Sequence, residues 1–480
     1  MNKIQLEITE PAYEGLEDRP LRRSFSVEII KKVIKFLEKY LGSTVLIKIP
    51  AELSEIEGVA YEFINTAYKL QKLGVINNII KIIGYPDEPL MYQYYASSVR
   101  KATGWGVDFF SKEKALWKSL GEATERYLWY NSDRFFQNRK ICSYRDLKGR
   151  ALNIFSLAGF SEEQKNKHSI LQFDENTVFG WIPARFLVSR KILFCPVQLV
   201  SAYYRDKNTE PMLRWGVTTG LSTGQSLKEA IVKGALEVIE RDAFMISYLN
   251  KLSPPIIDLE YLSDQDEEIA KIIKNFKRYN LEIYILQLPT DFPVYVNLAI
   301  LIDRTGLGPA VSVGASANFD FKTALLTSLS ESLVVRHSLK NIFKKKIDLK
   351  KIGREERVVY WAKPENLPKI EFFLKGEKIK IDLSQGFYKT KNNKNNYKEK
   401  LRILNTELEK KNYKTCYVEL TTKEIKKIGL RCVQVVIPEL QPLHLHESIP
   451  YFGGKRLKEV PLKFGYQPAK VLNQIPHPFP

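Results

Sequence analysis

The 480-residue chain reads as an α+β protein with mixed sheets and pseudo-repeated helices. Three observations predict this. Strand and helix patterns alternate unevenly, which disfavours a doubly wound parallel fold. Similar amphipathic stretches recur along the chain. The composition, 44% hydrophobic and 12% aromatic, is that of a folded globular chain. Its length exceeds one ordinary core, so two or three interlocked subdomains are expected.

Residues 1–90 read as a small α/β subdomain. "SVEIIKKVIKFLEKYLG" has helical periodicity and stops at Gly42, and "TVLIKIP" follows as a strand. The larger unit, 91–480, holds strands at "KILFCPVQLVSAYY", "EIYILQL", "VYVNLAILID", "KTCYVELT" and "LRCVQVVIP". Two basic insertions interrupt it at 339–357 and 389–400, and a Pro-rich tail occupies 473–480. The second insertion, rich in Lys and Asn, reads as a mobile surface segment.

The net charge of +19 points to an anionic partner, such as a nucleotide or an acidic peptide. Much of it sits in the insertions, and no helix-turn-helix, zinc-finger or RNP pattern accompanies it, so nucleic acid is not the expected partner. No apolar run is long enough for a membrane span or a signal peptide, and a cytoplasmic location is expected. Cys142, Cys195, Cys416 and Cys432 are far apart without C-x-x-C, the pattern of single buried thiols.

The repeat carries the chemistry. "ALWKSLGEATER" (115–126) laid over "AIVKGALEVIER" (230–241) matches at five of twelve positions, including the whole E-x-x-E-R. A third stretch, "ALLTSLSESLVVR" (324–336), keeps Ala324 and Glu331, reaches Arg336 one place later and lacks the second acid. In each of the first two helices, Glu122 with Glu125 and Glu237 with Glu240 are spaced i, i+3, so both carboxylates project together. Glu229 shares the second stripe, about 20° from Glu240 and about 80° from Glu237.

If the two helices pack as pseudo-symmetric mates, four carboxylates at about 5 Å repel by roughly 3 kcal/mol per pair at an effective dielectric near 20. Hard divalent cations relieve this, and Mg²⁺ favours a few carboxylates together with phosphate oxygens. Arg126 and Arg241 suit phosphate or would lock the acids. A structural ion-pair network is the alternative. No G-x-x-x-x-G-K-[ST] occurs; instead, small-residue stretches, "ATGWGVDFFSKEKA" and "TTGLSTGQSLKEA", precede both helices and allow phosphate to approach a helix start.

These residues resemble the YcaO family. "TGWGVDFFSKEKALWKSLGEATERY", "LSTGQSLKEAIVKGALEVIERDAF", "VGASANFDFKTALLTSLSESLVVR", "VVIPELQPLHLHESIPYFGGKRL" and the terminal "PHPFP" fall in that family's order. The resemblance implies a YcaO-type fold around an ATP and Mg²⁺ site without a P-loop. It implies that Glu122, Glu125, Glu237 and Glu240 hold metal with Glu229 nearby, and that Ser222, Gln225, Arg241 and Arg336 contact nucleotide. "RSFSVEII" (23–30) looks like the family's N-terminal ATP-contact segment, making Arg23 a triphosphate ligand. Trp105 stands where many members carry lysine, Gln225 replaces a usual asparagine, and Ile30 replaces a common hydroxyl residue.

The P-x-P-x-P tail is a stiff polyproline segment, or else a frayed terminus. Within the family it is similar to that of azoline-forming cyclodehydratases of the D-protein type. The implied reaction converts Cys, Ser or Thr of a ribosomal precursor peptide into thiazoline or oxazoline, with the backbone amide oxygen leaving as phosphate. Candidates for the base are the Pro480 carboxylate, with Glu229 in the catalytic set, and His444 or His446. The histidine pair could equally be metal ligands or ordinary buried polar residues. The implied partners are the precursor peptide, a separate leader-binding protein related to ubiquitin-activating enzymes and a flavin dehydrogenase, and a homodimer is left open. A thioamide- or amidine-forming enzyme, or a non-catalytic nucleotide-binding scaffold, is the alternative.

Overall fold

The computed structural model describes residues 60–480, apart from 83, 86–87, 99–101, 148, 188, 190, 202–203, 205–209, 341–353, 385–395 and 480. The helix and strand expected within 26–50, Arg23, Ile30 and Pro480 lie outside the described residues.

The chain forms two compact units. The first takes the described residues up to Pro86, then Leu90–Leu128 and Thr422–Gly429. Its described part begins with helix α1 (Tyr61–Lys72), followed by β1 (Asn78–Ile82), β2 (Tyr92–Ser97) and β3 (Thr103–Asp108) in one antiparallel sheet. Helix α2 (Lys112–Tyr130) follows β3 directly. Gly104 and Gly106 let the α2 backbone lie on the sheet. A Cβ at Gly104 would come 2.2 Å from Ser119 O, and one at Gly106 would come 1.8 Å from Ala115 O.

The second unit carries β4 (Lys140–Ser143), β5 (Val178–Phe186), β6 (Ile192–Pro196), β7 (Leu221–Gly224), β8 (Ile256–Ile257), β9 (Glu282–Gln287), β10 (Tyr295–Ile302), β11 (Val311–Asn318), β12 (Lys378–Ile379), β13 (Cys416–Glu419) and β14 (Arg431–Val436). One sheet runs β4-β5-β13-β14-β7, with β6 also on β5; the other runs β11-β10-β9-β8-β12. The pairings are antiparallel except β8 with β12, so the second sheet is mixed.

Helix α3 (Leu227–Leu249) packs on β7 and β14 and also on β10 and β11. A helix apolar on every side is a core helix, and between Ile239 and Leu249 every residue but Arg241 is buried. Helix α4 (Phe321–Leu339) lies on β10 and β11. Helix α5 is Arg354–Trp361 and helix α6 is Tyr397–Lys410. Thus the ends of the two basic stretches open helices, while 341–353 and 389–395 lie outside the described residues. Cys195, Cys416 and Cys432 are buried and all four thiols are free. Among the described residues no helix is long and apolar enough to cross a membrane.

The internal repeat extends to the helix starts. Ser111 Oγ accepts from Lys114 N at 3.2 Å, Ser226 Oγ from Glu229 N at 3.2 Å and an Asp320 carboxylate oxygen from Thr323 N at 2.9 Å. Each cap stands four residues before the shared alanine, Ala115, Ala230 or Ala324. A capping side chain satisfies one of the orphan N–H groups of the first turn. Each helix therefore starts at the same point of the repeat.

Candidate active site

On α2, Glu122 Oε2 accepts from the backbone N–H of Trp105 at 2.6 Å. Its other oxygen is ion-paired with Arg126, whose Nη1 also donates to Thr103 Oγ1 at 3.2 Å. Any residue but proline at 105 supplies that N–H, so tryptophan in place of lysine leaves the Glu122 contact intact. The Trp105 ring packs edge-on to Tyr95, 5.2 Å between centroids.

The same device recurs on α3. Glu237 Oε2 accepts from the backbone N–H of Gly220 at 2.9 Å, and Arg241 Nη2 lies 3.4 Å from its Oε1. In both helices the first acid of E-x-x-E-R is therefore held by an N–H of the preceding small-residue stretch and by the arginine one turn on. The second acid on α3, Glu240, is buried, accepts from Ala317 N at 3.1 Å and pairs with Arg241.

Glu229 stands at the start of α3. Its Oε2 accepts from Gln225 N at 3.0 Å, and Lys233 Nζ lies 2.6 Å from Oε1. Tyr397 of α6 bonds the same carboxylate; burial, followed by the charge and hydrogen bond of Glu229, pushes its phenol up to about 12. Burial lowers the Lys400 ammonium, with Asp320 and Glu229 opposing it. Tyr397 and Lys400 lie in the stretch whose composition read as an insertion, so only the helical spacing of α6 could have marked them.

Ser222 Oγ donates to Ala230 O, which ties β7 to the first turns of α3. Gln225 is exposed beside it. Arg336 is placed differently from the others. It is buried, and it donates to Glu88 (2.7 Å), Pro309 O (2.8 Å) and Asp303 (2.7 Å). The structure brings Glu237, Glu240 and Arg241 together, while Arg336 sits in its own ion-pair network.

A cleft adjoins Arg241, lined among others by Arg214, Trp215, Thr219, Val238 and Leu443. Beyond it lie His444, Glu447 and His477, the one trio of metal-type ligands found among the described residues, with donor atoms within 4.8 Å. The acid of this trio is already paired with a cation. Arg357 Nη1 donates to Glu447 at 3.1 Å, and His477 Nε2 contacts His444 O at 2.8 Å. Burial, then Arg357 and His444, holds the His477 imidazole well below its ordinary value. His444 is an ordinary buried polar residue of this cluster, as is His477, whereas His446 of the sequence pair is exposed and packs on Trp215, 4.5 Å between ring centroids.

The family model for YcaO cyclodehydratases, described as ATP- and Mg²⁺-binding, matches residues 109–441. The chain belongs to the YcaO family. A heterocyclase solved in complex with substrate and cofactor superimposes with a TM-score of 0.70 at 20% identity, covering 86% of this chain and 57% of that one. The YcaO protein of Methanopyrus kandleri, bound with AMPPCP and Mg²⁺, gives 0.56 at 16% identity and covers 82% and 93%. At these identities the likeness is one of fold, and it is the α+β YcaO architecture that the pseudo-repeated helices predict. An uncharacterized protein of Methanothermobacter thermautotrophicus is 26% identical over 159 residues, 33% of this chain and 41% of that protein. The chain thus spans less than two thirds of the length of the heterocyclase and of the Methanothermobacter protein. ATP and Mg²⁺ are the cofactors of this YcaO chain, as the family description states. The donor set suits them: paired carboxylates for a hard divalent cation, and arginines for phosphate.

Proposed function

We propose that this YcaO protein is the ATP-dependent cyclodehydratase component of a ribosomal-peptide modification system. The observation that carries the reading is the matched anchoring of Glu122 and Glu237, each fixed by a backbone N–H and by the arginine of its own E-x-x-E-R. Carboxylates oriented in advance bind a cation without reorganisation at the moment of reaction.

In this reading Glu122, Glu125, Glu237 and Glu240 hold Mg²⁺. Glu229, Ser222, Gln225 and Arg241, with Arg23 and Arg336 from the family pattern, serve the nucleotide. Mg²⁺ held by these acids would supply charge neutralisation for phosphoryl transfer. A Cys, Ser or Thr side chain adds to the preceding carbonyl and loses its proton. The carbonyl oxygen takes the γ-phosphoryl group, releasing ADP. It then leaves as phosphate, while the amide N–H proton is lost and the ring C=N forms. Pro480 is proposed as the base for the first proton, with Glu229 in the catalytic set. The substrate is a precursor peptide presented by a separate leader-binding protein of the ubiquitin-activating type, and a flavin dehydrogenase would act on the azoline afterwards. Conversion of a peptide to a bacteriocin in the cytoplasm fits the same reading.

Calorimetric titration with AMPPCP, with and without Mg²⁺, tests the site. Wild type is expected to bind only with Mg²⁺, and Glu240→Gln to bind at least about tenfold more weakly, since one charged hydrogen-bonding ligand is worth about 1.5–3 kcal/mol. Equal affinity of the two proteins sinks the assignment.

A further inference from the structure

The Pro-rich segment is strapped along α3 in the direction opposite to the helix. Asn473 N donates to Leu249 O at 2.8 Å. Tyr248 Oη donates to Ile475 O at 3.1 Å and to Pro476 O at 2.8 Å, and Trp361 Nε1 donates to Pro476 O at 2.7 Å. The strap reaches Phe479, which is 6% exposed and packs on Phe244 with ring centroids 5.0 Å apart. Over its face stands the Arg241 guanidinium, its carbon 4.2 Å from the ring centroid.

One buried side chain fastens this end. Arg357 is 0% exposed. Its Nε donates to Phe479 O at 3.0 Å, and its Nη1 reaches His444 O at 3.2 Å and Glu447 Oε1 at 3.1 Å. A guanidinium removed from solvent keeps its charge only where such acceptors surround it. Here the acceptors are the strap and the loop beside it.

The geometry points to Phe479 as a positioning residue for Arg241, with Arg357 as the clamp that keeps Phe479 in place. Glu237 and Glu240 pull the same guanidinium toward the acids, and the ring face limits how far it can swing away from them. This rests on the reading of Arg241 as a nucleotide-site residue, and it gives the strap a task that does not depend on its terminal carboxylate.

A double-mutant cycle in the full chain, Phe479→Leu against Arg241→Gln, is read on two quantities: the thermal midpoint and the affinity for Mg²⁺–AMPPCP. A cation–π contact between partly desolvated groups predicts about a fivefold loss of nucleotide affinity from Phe479→Leu. That loss should vanish in the Arg241→Gln background and be restored by Phe479→Tyr. Arg357→Gln should reproduce it; if that variant does not fold, the Phe479 series decides alone. Equal losses in both backgrounds, or none, overturn the proposal. Should wild type fail to bind the probe, the nucleotide reading of Arg241 falls, and the thermal midpoints still decide the contact: coupled midpoints uphold it and additive ones overturn it.

Discussion

Asp242 and Arg456 are joined side by side, Arg456 Nη2 to Oδ2 at 2.7 Å and Nε to Oδ1 at 2.9 Å, although 214 residues separate them. Asp242 is 0% exposed and Arg456 is 2% exposed, and Arg456 also reaches Asp291 at 2.8 Å. Asp242 directly follows Arg241. One step along α3 therefore turns the chain from the candidate site to a buried ionic knot. Replacing Arg456 with Met strands Asp242 in the interior, while Asp291 keeps Lys411 at 2.7 Å. A loss of about 3–5 kcal/mol is expected, to be measured as the shift in denaturant unfolding.

The knot also has a pH signature. Burial opposes ionisation of Asp291, but Arg456 and Lys411 outweigh it and hold its carboxyl well below the usual carboxylate range. With the folded value depressed, the stabilisation is complete above the unfolded value of about 3.9 and is lost as pH falls toward the folded one. The contribution of Asp291 to the thermal midpoint should therefore fall on acidification below about pH 4, against an opposite one from Asp242, whose carboxyl burial pushes up. Asp291→Asn should show a shallower drop over that window, starting from a lower midpoint at neutral pH. Parallel curves for the two proteins would remove Asp291 as the cause.

Gly234 reverses an ordinary rule. Ala in place of Gly inside a helix usually stabilises by about 1 kcal/mol. Here a Cβ would come 2.6 Å from Gly220 O and 2.9 Å from Val435 Cγ2. Gly220 is itself held at φ +86° and donates to Glu237. Gly234→Ala is expected to destabilise by about 1–3 kcal/mol, the cost of overpacking a close contact, and to weaken Mg²⁺–AMPPCP binding through Glu237. A raised thermal midpoint would show that the helix can shift away from β7.

What the sequence made legible follows from range. The acids on α2 and α3, the strands β9, β10, β13 and β14, and the repeat itself are local patterns with a period, and each has its element in the structure. The partners of those acids were hidden, because Trp105 N, Gly220 N and Ala317 N are backbone groups that carry no residue signature. Arg357 and Phe479 lie 122 residues apart and meet through a carbonyl, so neither marks the other. Arg336 does carry the repeat's arginine, but its register slips by one residue. On a helix one residue is about 100°, enough to aim the side chain at Asp303 and Glu88.

That slip sets the last expectation. Arg336→Gln removes the cation between Glu88 and Asp303, but the two acids do not lose equally. Glu88 keeps Lys340 at 2.9 Å, whereas Asp303 keeps the hydroxyl and N–H of Thr305. Burial opposes the charge on Asp303, and the bonds from Thr305 and Arg336 hold its carboxyl below the usual range. Removing Arg336 should therefore cost about 3–5 kcal/mol, most of it borne by a stranded Asp303. Asp303→Asn added to Arg336→Gln should recover a substantial part of the thermal midpoint, because an amide needs no counter-charge. No recovery would mean that the arginine acts through its bond to Pro309 O, by bracing the loop ahead of β11, and not through charge.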